Sequence, residues 1–309
     1  MGVASRRAAG TDLLGPACAA LGVLGFAFKA ILIKLAYAWS AIDPLTLLTL
    51  RMLYSAPFFA LMAWWASRAR SARHLERRDW AAIAGLGFIG YYLSSLVDFM
   101  GLQYVTAALE RLMLYLYPTI VVVLSAFVFK QRITGRIVVA LALSYAGILL
   151  VFERDLSFAG DRDALWLGGA LVFAGSFLYA CYLVGAGPVI ARLGSMRFIA
   201  LAMLASTVFV MVHFALTRSP AALAAPARIQ LLVLAMAVFS TVLPTYLIAE
   251  AIKRMGANRT SLAGSLGPVF TIWLGAWLLG EPVHPIQLAG VALVLAGVAI
   301  VTLRPARVA

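Results

Sequence analysis

An all-α membrane protein, with ten transmembrane helices as two inverted five-helix repeats around a central cavity, is the fold this sequence predicts. Three observations carry the expectation. The chain of 309 residues is 64% hydrophobic and only 12% charged, against roughly half and a quarter in soluble domains. Apolar runs of about 20 residues, long enough for helices to cross ~30 Å of hydrocarbon, recur from end to end. The stretch PTIVVVLSAFVFKQRITGRIVVALALSYAGILLV from Pro118 also aligns without a gap on PVFTIWLGAWLLGEPVHPIQLAGVALVLAGVAIV from Pro268, 150 positions later (118 to 268).

That alignment pairs Leu124 with Leu274, Ala126 with Ala276, Leu143 with Leu293 and Gly147 with Gly297, and it extends back to Gly25 with Gly175 and Ala30 with Ala180. The chain reads as a tandem duplication. Half of ten spans is five, an odd number of crossings, so the second copy enters the membrane upside down. Inverted repeats of this kind suit a secondary transporter, whose halves exchange roles between inward-open and outward-open states. A duplicated membrane scaffold or enzyme is the alternative.

The first span, 13–37, is too long for a cleaved signal segment and is expected to stay as a helix. It carries Lys29 roughly 6 Å and Lys34 roughly 13 Å beyond its middle, at about 1.5 Å per residue. The second, 44–66, holds Arg51; the third, 80–102, holds Asp98. The fourth, 105–129, opens with Glu110 and Arg111 and has Tyr115, Tyr117 and Pro118 at its centre. The fifth, 134–152, has no charge within its apolar run and neither does the tenth, 286–303; both are expected at the periphery, where a homodimer could form. Spans 164–186, 196–217, 229–251 and 257–279 complete the second copy, with Tyr179 in the sixth and Pro268 in the ninth. The organisation is thus a tail at 1–12, a first repeat at 13–152, a linker at 153–163, an inverted second repeat at 164–303 and a tail at 304–309.

The net charge of +13 is concentrated on one side. With the N-terminus inside, the cytoplasmic segments hold most of the arginines and lysines, while the opposite loops hold only Arg154, Arg162, Arg218 and Arg228. The positive-inside rule then places both termini in the cytoplasm, in a multi-pass protein of the cytoplasmic (inner) membrane. The basic loop at 68–78 is read as a topology determinant that meets the anionic headgroups of the lipid bilayer, and no nucleic acid is expected as a partner.

In sequence the chain resembles the drug/metabolite transporter superfamily, specifically its EamA-type members. The resemblance rests on KAILIKLA late in the first helix, TLLTLRML in the second, the proline-centred LYPTIVVVLSAFVFK and LGPVFTIWLGAWLLGE, and the closing AGILLV and AGVAIV. Where such members carry a Glu-Arg-like pair after each fourth helix, this chain has Lys130-Gln131 and Gly280-Glu281. The resemblance implies proton-coupled or exchange transport of small metabolites, many members being similar to amino-acid exporters, with no cofactor and no enzymatic activity.

An ammonium or carboxylate within a span is costly and marks a functional site by default. Lys34, Arg51, Asp98, Glu110 and Arg111 share one outer layer and are expected to form a paired network, Lys34 alternatively snorkelling to the headgroups. Lys29 lies too deep for that. It faces either the cavity, binding substrate or proton, or helix carbonyls at a packed interface. Arg51 suits a substrate carboxylate and suits Asp98 or Glu110 equally. The substrate-binding or coupling candidates are therefore Lys29, Arg51, Asp98, Glu110, Tyr115 and Tyr179. Pro118 and Pro268 each free the carbonyl four residues back, on Leu114 and Gly264; with Gly264 and Gly267 they are the gating candidates, a packing kink being the alternative.

Other motifs carry little. Cys18 and Cys181 read as small buried residues with no disulfide. GLGFIG at 85–90 lies inside a helix with no preceding strand and reads as a packing face. The acceptor-like NRT at 258–260 falls on the cytoplasmic side, and His74, His213 and His284 lack metal-ligand spacing. A membrane enzyme or flippase-like protein acting on a lipid-linked substrate is the runner-up, with Asp98 and Glu110 its only carboxylate pair.

Overall fold

The computed structural model describes residues 13–68, 74–128, 130, 134–158, 160–255, 260, 263–264 and 266–302. Both tails, residues 69–73 of the basic loop, Gln131 and Asn258 lie outside the described residues. Among those described, the regular structure is helical throughout. Helices α1 (Leu14–Trp39), α2 (Pro44–Ser67), α3 (Arg77–Gly101), α4 (Ala107–Val128), α5 (Gly135–Phe158), α6 (Arg162–Leu193), α7 (Ser195–Thr217) and α8 (Ala227–Met255) are each long and apolar enough to cross a membrane. Two shorter apolar helices, α9 (Gly267–Leu279) and α10 (Pro285–Thr302), follow.

The duplication is visible in the helix starts. α3 and α8, the second segment of α4 (Tyr117–Val128) and α9, and α5 and α10 begin 150 positions apart (77 to 227, 117 to 267, 135 to 285). α3 contains a wide π turn at Phe88–Leu93 and α8 one at Val238–Val242, again at that offset. Pairing respects the same exchange. α1 packs on α8 as α6 packs on α3, α1 on α9 as α6 on α4, while α2 with α7 and α5 with α10 are pairs of equivalents.

Glycines permit the closest of these approaches. A Cβ at Gly25 would fall 2.7 Å from the Phe239 carbonyl oxygen of α8, and one at its equivalent Gly175 would fall 3.1 Å from the Ser94 carbonyl oxygen of α3. Pro244 stands where the other half has Ser94, yet both halves have the π turn, so proline is not its cause. Ser94 instead donates its hydroxyl to the Gly175 carbonyl at 2.9 Å. Small residues at such crossings let van der Waals contact hold helices together where no hydrophobic effect acts between them.

Two boundaries differ from expectation. α5 continues to Phe158, through the stretch read as a linker, because Asp155 is buried and accepts from Thr106 at 3.0 Å and Arg154 at 2.7 Å. α6 runs seven residues past the expected 186 to Leu193, where Gly194 takes φ +82°, a left-handed value that ends a helix. Before α9, Thr260, Ala263 and Gly264 are also helical, within the expected span of 257–279.

Asp43 caps α2, accepting from the amides of Leu45 and Thr46. Burial alone would raise its carboxyl, but the Thr46 hydrogen bonds and the Arg218 guanidinium 3.3 Å away hold it below its ordinary value. Asp43→Ala is expected to cost about 1 kcal/mol of stability at neutral pH. A carboxylate held low contributes above its unfolded-state value and loses that contribution as pH falls through the folded one. Thermal unfolding in detergent should therefore separate wild type from variant at pH 7 and bring them together in acid.

Candidate functional site

Three helices of the first repeat bring their charges to one point. Lys29 of α1 places Nζ 2.6 Å from Asp98 Oδ2 of α3 and 3.3 Å from Glu110 Oε1 of α4. The Asp98 and Glu110 side chains are 3% and 0% exposed, and the lysine keeps 19%. Burial of such charges is tolerable only in pairs, which is why an apolar helix carries a lysine at this depth. The pairing is lopsided, however. Two carboxylates face one ammonium, and Asp98 Oδ1 and both Glu110 oxygens make no hydrogen bond.

Arg51 does not join this group by an ion pair among the described residues. It is 5% exposed, donates to Ser95 Oγ at 3.3 Å, lies 5.0 Å over the Phe99 ring, and leaves Nε without a partner. Lys34 turns inward rather than snorkelling and donates to the Val105 carbonyl at 2.6 Å in the α3–α4 connection. Of the expected layer of five, Asp98 and Glu110 thus pair with Lys29, which was placed deeper, while Lys34 and Arg51 have separate partners.

The second repeat reaches the same region through Glu281. Gly280 takes φ +67° and ends α9. That turn directs Glu281 back across the membrane end, where its Oε1 accepts from the Ala107 amide at 3.0 Å, at the start of α4. A carboxylate suits the positive end of a helix. In the first repeat Lys130 occupies the equivalent left-handed position, φ +52°. The sequence singled out Glu281 as the acid after its repeat, but its contact with α4 required the fold.

Below the charges α4 is broken. Its first segment ends at Leu114, Tyr115 and Leu116 form a turn, and Tyr117 starts the second segment with Pro118 at the second position. The Leu114 carbonyl, released by Pro118, accepts from Ser176 of α6 at 3.2 Å. Ser176 escaped the sequence reading because a lone serine in an apolar helix carries no signal of its own. On the other side of the break, α9 has glycine where it meets Arg111 and Tyr115. A Cβ at Gly267 would lie 2.8 Å from Arg111 Nη2 and 3.0 Å from Tyr115 Oη, and one at Gly264 would lie 3.6 Å from Tyr115 Oη. Pro268 and both glycines therefore border the turn that Pro118 creates.

From that turn a file of aromatic rings runs away from the Lys29 cluster. The Arg111 guanidinium lies 5.5 Å from the Tyr115 centroid, Tyr115 is 6.4 Å from Tyr117, Tyr117 5.4 Å from Tyr179, and Tyr179 5.6 Å from Tyr182. Tyr182 ends the file with its hydroxyl 2.9 Å from that of Tyr91. Gly90 makes room for it, since a Cβ there would meet the Tyr182 ring. Tyr179 occupies the position that Lys29 has in the first repeat (29 to 179), so charge in one half answers phenol in the other. The arrangement sets cations and paired carboxylates beside a row of tyrosine π faces. Among the described residues no group of three or more His, Cys, Asp or Glu side chains is placed to hold a metal.

The model of the EamA-like transporter family matches this sequence twice, over residues 13–153 and 166–303. The uncharacterized transporter YcbK of Bacillus subtilis is 31% identical over 279 residues, covering 87% of this chain and 86% of the relative. The uncharacterized transporter YyaM of the same organism is 26% identical over 72% of this chain and 73% of its own length, and an uncharacterized transporter of Archaeoglobus fulgidus 24% over 90% and 94%. A solved crystal structure, 19% identical, superposes with a TM-score of 0.64 over 94% of this chain and 96% of the other, a likeness of fold.

Proposed function

Because the chain belongs to the EamA-like transporter family, we propose that it is a secondary active transporter that exports a small polar metabolite such as an amino acid by alternating access. In this reading α9 and α10 complete ten crossings, the two repeats are inverted, and both termini face the cytoplasm of a bacterial or archaeal inner membrane. The observation that carries it is the Lys29–Asp98–Glu110 cluster, a buried charge set joining three helices of one repeat at the outer half of the membrane. Joined, it closes the outer side. Parted, it opens Lys29, with Arg51 and Arg111, to the outside, where the carboxylate of an exported solute is released, while the breaks at Pro118 and Pro268 let the inner halves of α4 and α9 move.

The excess carboxylate supplies the coupling. One ammonium neutralises one carboxylate, so the second is the natural seat for a proton. Glu110 is that group in our reading, because Asp98 has the short contact with Lys29 and Glu110 the longer one. An enzyme reading would need the same two carboxylates free to face a substrate.

Counterflow in proteoliposomes tests this directly. Vesicles loaded with pooled unlabelled amino acids should take up label from one pool, and Glu110→Gln should retain that exchange while losing its dependence on pH. Silence in every pool removes amino acids as the solute. Unaltered pH dependence in Glu110→Gln removes the coupling role.

A further inference from the structure

The second repeat leaves a hollow where the first is filled. In the first repeat the π turn of α3 sets Phe88 5.2 Å from Tyr92 and 5.1 Å from Phe209 of α7, and the Tyr92 hydroxyl lies 2.8 Å from His213 Nδ1. At the equivalent π turn of α8 the two ring positions are Val238 and Val242 (88 to 238, 92 to 242). The α7 positions correspond to Phe58 and Met62 on α2, which starts 151 positions earlier (44 to 195). Two valines in place of two rings open a space of about 460 Å³, lined by Phe58, Met62, Trp65, Met196, Val238 and Val242 among others.

That space faces the bilayer. Leu61, Trp64 and Trp65 on its rim are 63%, 52% and 62% exposed. It continues, past Trp65 and Met196, into a second hollow of about 360 Å³ whose wall includes Arg68. The chemistry changes along its length from apolar to cationic. At the cationic end the Arg68 guanidinium lies 3.8 Å over the Trp64 ring, and Arg197 binds Ser67 Oγ at 3.1 Å. Among the described residues Arg68 enters no ion pair. A guanidinium held over an aromatic ring at a helix end is prepared for a phosphate oxygen, and an apolar hollow in hydrocarbon stays dry and takes apolar groups.

We propose that this groove is a binding site for one anionic glycerophospholipid, an acyl chain lying between α2 and the π turn of α8 and the phosphate on Arg68. The position of Arg68 at the end of α2 places that lipid in the cytoplasmic leaflet under the topology proposed above. The site does not depend on what the protein transports.

Native mass spectrometry of the full chain in detergent, titrated with phosphatidylglycerol and with phosphatidylcholine of the same acyl chains, tests it. One phosphatidylglycerol is expected to be retained about five- to tenfold better than phosphatidylcholine, the effect of one or so added charge contacts. Val238→Phe with Val242→Tyr, which installs the ring pair of the other repeat, should abolish that retention; Val242→Phe alone serves if the double variant does not fold. Arg68→Gln should keep lipid binding and lose the headgroup preference. Equal retention of both lipids by wild type, or retention unaltered in a folded groove-filling variant, overturns the proposal. A dimer that the groove-filling variant dissociates would assign the groove to a second copy of the chain and overturn it equally.

Discussion

Lys29→Met is expected to abolish exchange and to destabilise the protein by about 3–5 kcal/mol, the cost of removing one partner from a buried ion pair. Methionine fills much of the space of the lysine stem and adapts to irregular packing, so the loss is electrostatic: Asp98 and Glu110 would be left facing each other with no cation at 2.6 or 3.3 Å. Thermal unfolding in detergent measures the first effect and counterflow the second. The two roles separate in a triple variant. Lys29→Met with Asp98→Asn and Glu110→Gln removes the whole charge set and with it the uncompensated buried charge that makes the single variant so costly, and should be more stable than Lys29→Met alone. If Lys29 serves transport, this more stable protein stays inactive. If it serves only to neutralise its neighbours, the triple variant transports, and the role proposed for the lysine fails.

The lysine itself was legible because a charge inside an apolar run has so few tolerable surroundings. Depth along a helix was legible too, since it follows from residue count. Direction around the helix axis was not. Depth placed Lys34, Arg51, Asp98, Glu110 and Arg111 in one layer, but only packing decides that α1 turns Lys29 towards α3 and α4 while α2 turns Arg51 towards Ser95 and the Phe99 ring. Repeats were legible through glycine and proline, the residues whose backbone demands are least negotiable. Gly25 and Gly175 recur because each lets its helix approach a partner from the other half.

The π turns were hidden, because a widened turn needs no particular residue. That of α3 contains FIGYYL and that of α8 VFSTV, and proline follows only the second. Their consequence is nevertheless large. Each lies where the opposite first helix crosses its own, and each aims two side chains at α2 or α7. Whether those side chains are rings or valines then decides between a filled crossing and an open groove. This is information the alignment contained at positions 88, 92, 238 and 242, but it had no meaning until the packing partner was known.

Gly147→Val is expected to destabilise by at least about 3 kcal/mol, the upper range for forcing extra methyl groups into a well-packed contact. Gly147 sits where α5 crosses α10, and a Cβ there would stand 2.5 Å from the Gly290 carbonyl oxygen and 3.0 Å from Leu293 Cβ. A flexible side chain could swing aside; a backbone oxygen cannot move without moving α10. The equivalent residue, Gly297, would set its Cβ 2.5 Å from the Ala140 carbonyl oxygen, so the crossing uses the same contact from both sides (147 to 297, 140 to 290). Gly297→Val should therefore match Gly147→Val in unfolding temperature. The contact lies far from Lys29, and a folded remnant of either variant at low temperature should still exchange solute. Variants that unfold normally would show that α5 and α10 slide past each other without cost, and the pseudo-symmetric crossing would then not be what joins the ends of the two repeats.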